Sequence, residues 1–188
     1  MPTAAIITHD GFTDAEFLVA YHMLKAEGFD AKVYSLNGGP VTGVMGWLHK
    51  DSRAMHHLRS EKLCIEAGVV TVREFMPDIL ILIGGVKSIE KLRLHRGLID
   101  EVRKQNDANG IIATICHGAQ LCIEADIVRG RKVLGYNSIR KDLENAGAVW
   151  PEGQEVWVDR NIVSARHYDF AGIWMKEVLR VWRERDRQ

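Results

Sequence analysis

Short apolar runs recur along the chain and alternate with segments in which apolar residues fall three and four positions apart. The clearest runs span residues 4–8, 78–83 and 111–115. Runs this short, and apolar at nearly every position, are typical of strands buried on both faces, and the spacing between them is typical of helices. The alternation predicts an α/β fold, namely a three-layer sandwich with a mostly parallel central sheet and helices on both faces.

Turn and cap residues locate further elements. We expect Gly28 to end a first helix that begins near Asp14, and Ser138 to cap a later helix. Alternation on either side of Asp159-Arg160 predicts a hairpin of residues 155–158 and 161–165. The other predicted strands are 30–36, 41–44, 69–72 and 133–134, and the other predicted helices are 98–106, 118–128, 138–145 and a last one from Asp169 or Phe170.

The composition excludes several classes of protein. Lys and Arg together number 25, as do Asp and Glu, so the formal net charge is zero and argues against a nucleic-acid partner or an anionic membrane surface. The sequence has no long apolar stretch and no signal-peptide pattern, and its three cysteines form no disulfide pattern. We therefore expect a cytoplasmic protein with reduced thiols and no contact with a membrane.

The length of 188 residues fits a single domain over residues 1–188, with residues 47–63 as a candidate insertion. This segment has no clear period and contains His49, His56 and His57. Because His56 and His57 are adjacent, their side chains would point apart on a regular element. We therefore predict no metal site.

The most informative segment is residues 111–120, where an apolar strand runs into Cys116-His117-Gly118 and then into a helix. A cysteine on such a turn presents its sulfur at the carboxyl edge of the sheet, where α/β folds bind ligands. The N-terminus of the following helix offers N–H groups that lower a thiol pKa and stabilise an oxyanion. Gly118 permits the close backbone approach that the turn requires. The pattern predicts that Cys116 is a nucleophile.

An unreactive, buried thiol is the ordinary alternative for any cysteine. That alternative fits Cys122, which lies inside a predicted helix, and Cys64, which has no motif around it.

The sequence Ala-Thr-Ile-Cys-His-Gly at residues 113–118 resembles the nucleophile elbow A-x-x-C-H-G of the ThiJ/PfpI superfamily. That superfamily has a flavodoxin-like, class I glutamine-amidotransferase-like fold. The resemblance covers nearly the whole chain and includes residues 10–16, 84–85, 143–148 and 162–167. Because His117 directly follows the cysteine, the chain is most similar to the PfpI-like branch.

The resemblance implies roles for individual residues. Glu16 resembles a buried acid beside the thiol, and His117 resembles the general base. Glu90 matches an acid that reaches this histidine from a neighbouring subunit, so the resemblance implies a homodimer or higher homo-oligomer. It also implies that the N–H groups of Gly85 and His117 are oxyanion donors. The remaining pocket positions are Gly84, Gly118 and His167.

Without the resemblance, each of these residues has a plainer interpretation. Glu16 fits an exposed acid in a first helical turn, His117 fits a helix cap, and Glu90 fits a surface ion pair that contributes little to stability.

Two departures from the family pattern bear on the site. Ile83 stands where a proline usually precedes the two glycines, so the oxyanion loop can differ in shape. His167 and Asp169 resemble the His-x-Glu that class I glutamine amidotransferases place downstream of a cysteine elbow. Those enzymes usually have glycine two positions before the cysteine, however, and this chain has Thr114 there.

We therefore expect a Cys116-dependent enzyme that acts without a cofactor on a small-molecule or peptide substrate. The resemblance implies peptidase- or amidase-like chemistry, or glyoxalase- or deglycase-like chemistry. Three alternatives stay open: a cysteine-based sensor of oxidative stress, a glutamine-amidotransferase-type amidase, and a structural oligomer with a vestigial site.

Overall fold

The computed structural model describes residues 1–44, 63–69 and 76–185. Within these residues the strands are β1 (Thr3–Ile7), β2 (Asp30–Ser35), β3 (Gly39–Thr42), β4 (Cys64–Val69), β5 (Ile79–Leu82), β6 (Ile111–Ile115), β7 (Val156–Asp159) and β8 (Ile162–Ala165). The α-helices are α1 (Asp14–Ala26), α2 (Val86–Leu92), α3 (Arg96–Asp107), α4 (Ala119–Glu124), α5 (Arg140–Asn145) and α6 (Ala171–Arg185).

The described strands form one sheet in the order β3-β4-β2-β1-β5-β6-β8-β7. All neighbouring pairs are parallel except β3–β4 and β7–β8, so only the two outer strands run against their neighbours. The central strands β1, β5 and β6 are aligned, with Ile6 opposite Ile81 and Ile81 opposite Ala113. Their carboxyl ends therefore meet at one edge of the sheet, which is where ligands bind in folds of this kind.

Alternate residues of the central strands enter two separate cores, because side chains of a strand point to opposite faces in turn. On β5, Ile79 and Ile81 pack with α1 and α6, whereas Leu80 and Leu82 pack with α2, α3, α4 and α5. The α6 helix is fixed by Trp174, which is fully buried and donates its indole N–H to the Val163 carbonyl at 3.1 Å. The predicted three-layer α/β sandwich is confirmed.

The predicted hairpin is confirmed as β7 and β8, which pair with Val158 opposite Val163. Other predictions were wrong in detail. Residues 133–134 are buried in a loop, where the neighbouring Lys132 makes an isolated bridge to Val149. The helix expected at 118–128 is a 3₁₀ turn at Cys116–Gly118 followed by the shorter α4. The α2 helix was not predicted.

Ser138 does not have the predicted role of helix cap. It lies in a 3₁₀ turn at Asn137–Ile139, and α5 begins only at Arg140, after Ile139 as its N-cap residue. The Ser138 hydroxyl instead contacts the imidazole of His117.

The candidate insertion at 47–63 lies outside the described residues except for Leu63, and so do residues 70–72 of the strand predicted at 69–72. Single-domain organisation therefore stays a prediction. Among the helices that the structure describes, none combines the length and the hydropathy needed to cross a membrane.

The turn after β6 packs directly against β5 at Gly118. A Cβ atom at this position would clash with the backbone carbonyl oxygen of Leu82 and would lie 2.9 Å from Oγ1 of Thr114. The absence of a side chain therefore lets the elbow approach the sheet.

We expect Gly118→Ala to lower the free energy of unfolding by about 1–3 kcal/mol, because backbone atoms must move to admit the methyl group. Gly172→Ala is the matched control, since no described atom lies within 4 Å of its Cβ position in α6. That control should be stabilising by roughly 0.5–1 kcal/mol, because alanine favours a helix over glycine. Urea unfolding measures both, and equal values for the two variants would contradict the close approach.

Candidate active site

Cys116 occupies a strained backbone position immediately after β6. Its φ of 58° lies in the left-handed region, which a residue with a side chain enters only at a cost of about 1–3 kcal/mol. Neighbouring residues stabilise this conformation. For example, the N–H of Tyr136 donates to the Cys116 carbonyl at 3.1 Å. The conformation is that of a nucleophile elbow, and the sulfur is presented at the carboxyl edge of the sheet.

A cavity of about 430 Å³ opens over Cys116, a size suited to a small molecule. Its walls come from the loop after β1, from the start of α2, from the elbow and from two later loops. The lining residues are Gly11, Thr13, Val44, Gly85, Val86, Lys87, Cys116, His117, Tyr136, His167 and Tyr168.

Glu16 lies on α1 and is fully buried, so the expectation of a buried acid holds and the exposed first-turn alternative does not. The N–H of Gly84 donates to its Oε2 at 2.7 Å. Its Oε1 has no hydrogen-bond partner among the described residues. Burial raises the pKa of Glu16 to about 8, against the smaller opposing effects of the Gly84 N–H, the Cys116 thiol and the Thr13 hydroxyl. The carboxyl group is therefore neutral at pH 7.

Burial also raises the pKa of the Cys116 thiol, and a negative charge on Glu16 raises it further. The backbone N–H groups of His117 and Gly85 act in the opposite direction, because they hydrogen-bond the sulfur. The effect of Glu16 on the thiol pKa requires a negative charge, so it is absent while Glu16 is protonated. Two adjacent buried negative charges are costly, so a thiolate forms here only beside a neutral Glu16 carboxyl.

His117 contacts the thiol directly, with its Nδ1 3.3 Å from Sγ of Cys116. Its other ring nitrogen, Nε2, lies 3.2 Å from Oγ of Ser138. The imidazole stacks on Tyr136, with ring centroids 5.1 Å apart. Burial lowers the pKa of His117, and the negative charge of Glu90 opposes this effect. A neutral imidazole at this distance can take the thiol proton.

Glu90 lies on α2 with 61% of its side chain exposed, and it forms an ion pair with Arg93 at 3.6 Å. Within one chain it therefore influences His117 through its charge, while Ser138 occupies the second ring nitrogen. A role for Glu90 across a subunit interface stays a prediction.

The glycines predicted for the oxyanion loop lie beside the sulfur. Gly85 has a φ of 110°, a backbone conformation that favours glycine, and its N–H hydrogen-bonds the thiol together with that of His117. A Cβ on Gly84 would lie 2.8 Å from both Cys116 Cβ and Glu16 Oε2. Both N–H groups therefore face the sulfur, and their role as oxyanion donors stays a prediction.

His167 lines the pocket, as expected, and its Nδ1 lies 3.0 Å from Oδ2 of Asp169. Tyr136 contacts both imidazoles, since its ring centroid is 5.1 Å from that of His117 and 5.6 Å from that of His167. The His167–Asp169 pair required by a glutamine-amidotransferase arrangement is present, but the imidazole in contact with the thiol is that of His117.

Sequence reasoning did not identify Ser138, Tyr136 and Tyr168 as site residues. The position of Ser138 ahead of a predicted helix favoured a cap, and the two tyrosines have no motif around them. Among the described residues no group of three or more His, Cys, Asp or Glu side chains could hold a metal ion. His49, His56 and His57 lie outside the described residues.

Comparison with known proteins places the chain in a family. A model described as the DJ-1/PfpI family matches residues 2–181. The chain is 36% identical over 170 residues to Deglycase PfpI of Pyrococcus furiosus, covering 90% of this chain and 93% of that one. It is 30% identical over 178 residues to Protein/nucleic acid deglycase 2 of Escherichia coli, covering 94% and 95%.

A solved structure supports the fold independently. The structure of Drosophila melanogaster DJ-1beta is similar with a TM-score of 0.78 at 20% identity, covering 97% of this chain and 89% of that one. With a family model matched over nearly its full length and relatives above 30% identity, this chain belongs to the DJ-1/PfpI family.

Proposed function

We propose that this protein is a cysteine-dependent, deglycase-like enzyme that acts on small carbonyl compounds and their amine adducts without a cofactor. The observation that carries the proposal is the arrangement around one sulfur. The Cys116 thiol sits between a neutral buried carboxyl, Glu16, and a neutral imidazole, His117. Relatives named as deglycases support the same class of reaction.

The first step is addition of the sulfur to a carbonyl carbon or its amine adduct. His117 takes the thiol proton through Nδ1, 3.3 Å away, and the thiolate forms the new carbon–sulfur bond. The N–H groups of Gly85 and His117 stabilise the developing oxyanion. In an adduct of methylglyoxal with an amine, His117 returns its proton to the nitrogen, and the amine leaves as the thiohemiacetal forms.

The later steps are internally balanced, so they require no external oxidant or reductant. The C1 proton of the thiohemiacetal moves to C2 and its hydroxyl proton moves to the C2 oxygen, which oxidises C1 to a thioester and reduces the C2 ketone to an alcohol. We assign both transfers to the protonated Glu16 carboxyl, which gives its proton to the C2 oxygen as it takes the C1 proton, and then takes the C1 hydroxyl proton as it delivers a proton to C2. Water then hydrolyses the thioester, which releases lactate and restores the thiol. With free methylglyoxal, His117 instead returns its proton to the oxyanion, and the same thiohemiacetal forms.

A second candidate is a cysteine-based sensor of oxidants. The neutral Glu16 carboxyl can donate a hydrogen bond to an oxygen of a sulfinic acid formed on Cys116 by peroxide. Hydrolysis of a peptide or amide would use the same thiolate and the same oxyanion donors. The cytoplasmic location and a homo-oligomer also belong to the proposal.

We expect Cys116→Ala to lower the rate of lactate formation from methylglyoxal by more than about 1,000-fold, because removal of a covalent nucleophile leaves only residual catalysis. Cys122→Ala and Cys64→Ala are the matched controls, since the buried Cys122 and the exposed Cys64 lie outside the pocket. These two variants should form lactate like the wild type.

If wild type and Cys116→Ala act alike on dicarbonyls, their amine adducts and peptides, the proposed enzyme activity is wrong. Mass spectrometry of Cys116 after treatment with peroxide would then test the sensor.

The raised pKa of Glu16 makes stability depend on pH with a definite sign. Between pH 4.5 and about 8 the folded protein keeps a proton on this carboxyl that the unfolded chain loses. The free energy of unfolding therefore falls as pH rises through that window, and the loss is on the order of several kcal/mol. Urea unfolding at pH 5 and at pH 8.5 measures it.

Glu16→Gln removes the titrating group, so its free energy of unfolding relative to that of the wild type should rise between pH 5 and pH 8.5. Glu66→Gln, at an exposed position of β4, is the control and should follow the wild type. Parallel curves for wild type and Glu16→Gln would contradict a neutral buried carboxyl.

A further inference from the structure

Both ring nitrogens of His117 have partners in the structure. Nδ1 lies 3.3 Å from Sγ of Cys116, and Nε2 lies 3.2 Å from Oγ of Ser138. The contact with Ser138 links positions 21 residues apart in the sequence. The side chains of Cys116, His117 and Ser138 are therefore in contact in that order, from the sulfur through the imidazole to the hydroxyl.

The loop that carries Ser138 is tied to the elbow by its backbone. The N–H of Tyr136 donates to the Cys116 carbonyl at 3.1 Å, and the N–H of Ile139 donates to the Tyr136 carbonyl at 3.0 Å. Ile139 is buried and the N–H of Leu134 donates to Oγ of Ser164 at 3.0 Å. Ser138 is exposed, but its backbone is therefore held at a fixed distance from His117.

A neutral imidazole carries one N–H, so its two partners decide what it can do. If the Ser138 hydroxyl donated to Nε2, Nδ1 would carry the hydrogen and could not accept the thiol proton. If the hydroxyl accepts from an Nε2–H group, Nδ1 is bare and faces the thiol as a base. The catalytic step assigned to His117 requires the second arrangement.

We propose that Ser138 is a positioning residue that accepts the Nε2–H of His117 and so keeps Nδ1 bare toward the Cys116 thiol. The inference rests on the proposed function, because it concerns the base of that reaction. In this arrangement Cys116, His117 and Ser138 of a single chain form the complete hydrogen-bonded arrangement. The hydroxyl oxygen also accepts the Nε2–H of the imidazolium that forms when the thiol proton is transferred.

Glu90 is the competing partner for Nε2. In the chain described here its side chain is 61% exposed and pairs with Arg93 at 3.6 Å. A carboxylate from a second copy would have to displace the Ser138 hydroxyl to reach the same nitrogen. A carboxylate would also hold the imidazolium more strongly than a neutral hydroxyl does, because hydrogen bonds to charged groups are the stronger ones. The two assignments are therefore mutually exclusive and can be distinguished by substitution.

The experiment compares Ser138→Ala, Ser138→Thr and Glu90→Gln with the wild type in two assays. The first is the rate of Cys116 alkylation by iodoacetamide against pH, which needs no substrate. The second is kcat and KM for lactate formation from methylglyoxal. Lys141→Ala, an exposed change just beyond the same loop, is the control and should leave both assays unchanged.

We expect Ser138→Ala to lower the alkylation rate at neutral pH and kcat by about threefold to tenfold, the effect of one lost hydrogen bond, with little change in KM. Ser138→Thr keeps the hydroxyl and should restore both rates, whereas Glu90→Gln should lose less than Ser138→Ala. Wild-type rates in Ser138→Ala, a loss that threonine does not restore, or a larger loss in Glu90→Gln would each overturn the proposal.

The alkylation assay separates this proposal from the proposed function. If the wild type forms no lactate, the deglycase-like activity is wrong, but the alkylation series still decides whether Ser138 sets the proton position on His117. Unfolding midpoints of all variants confirm that the rates are compared between folded proteins.

Discussion

A buried carboxyl group joins the parts of the active site. Glu16, from α1, accepts the N–H of Gly84 at 2.7 Å and so fixes the loop after β5. Position 84 has no space for a side chain, since a Cβ there would lie 2.8 Å from both the Glu16 carboxyl and the Cys116 Cβ. Three segments far apart in sequence therefore meet around one acid. This contact holds α1 against the loop whose next residue, Gly85, donates its N–H to the Cys116 sulfur.

Much of the fold could be predicted because its signals are local. The strands β1, β5 and β6 are short apolar runs, and their burial on both faces follows from that composition alone. The α2 helix escaped prediction because it is only seven residues long, and its N-cap is a glycine with no side chain to cap it. The loop at 133–134 is as buried as a strand, so its apolar residues gave a misleading signal.

The candidate site divides in the same way. Cys116 and its turn follow from an apolar strand, a glycine and a helix in direct succession, and Glu16 followed from the family resemblance. Ser138 could not be found, because its contact with His117 depends on how the chain returns to the elbow 21 residues later. Tyr136 was missed for the same reason, although it contacts both His117 and His167. No local sequence pattern predicts a contact between residues so far apart in the chain.

The raised pKa of Glu16 has a consequence for every covalent change at the sulfur. A negative charge on Glu16 raises the pKa of the Cys116 thiol, so a thiolate on Cys116 in turn favours the protonated carboxyl. When a neutral adduct replaces a thiolate, that charge disappears and the carboxyl ionises more readily. The proton on Glu16 is therefore held most firmly while the sulfur is ionised, and formation of a neutral adduct makes that proton easier to transfer.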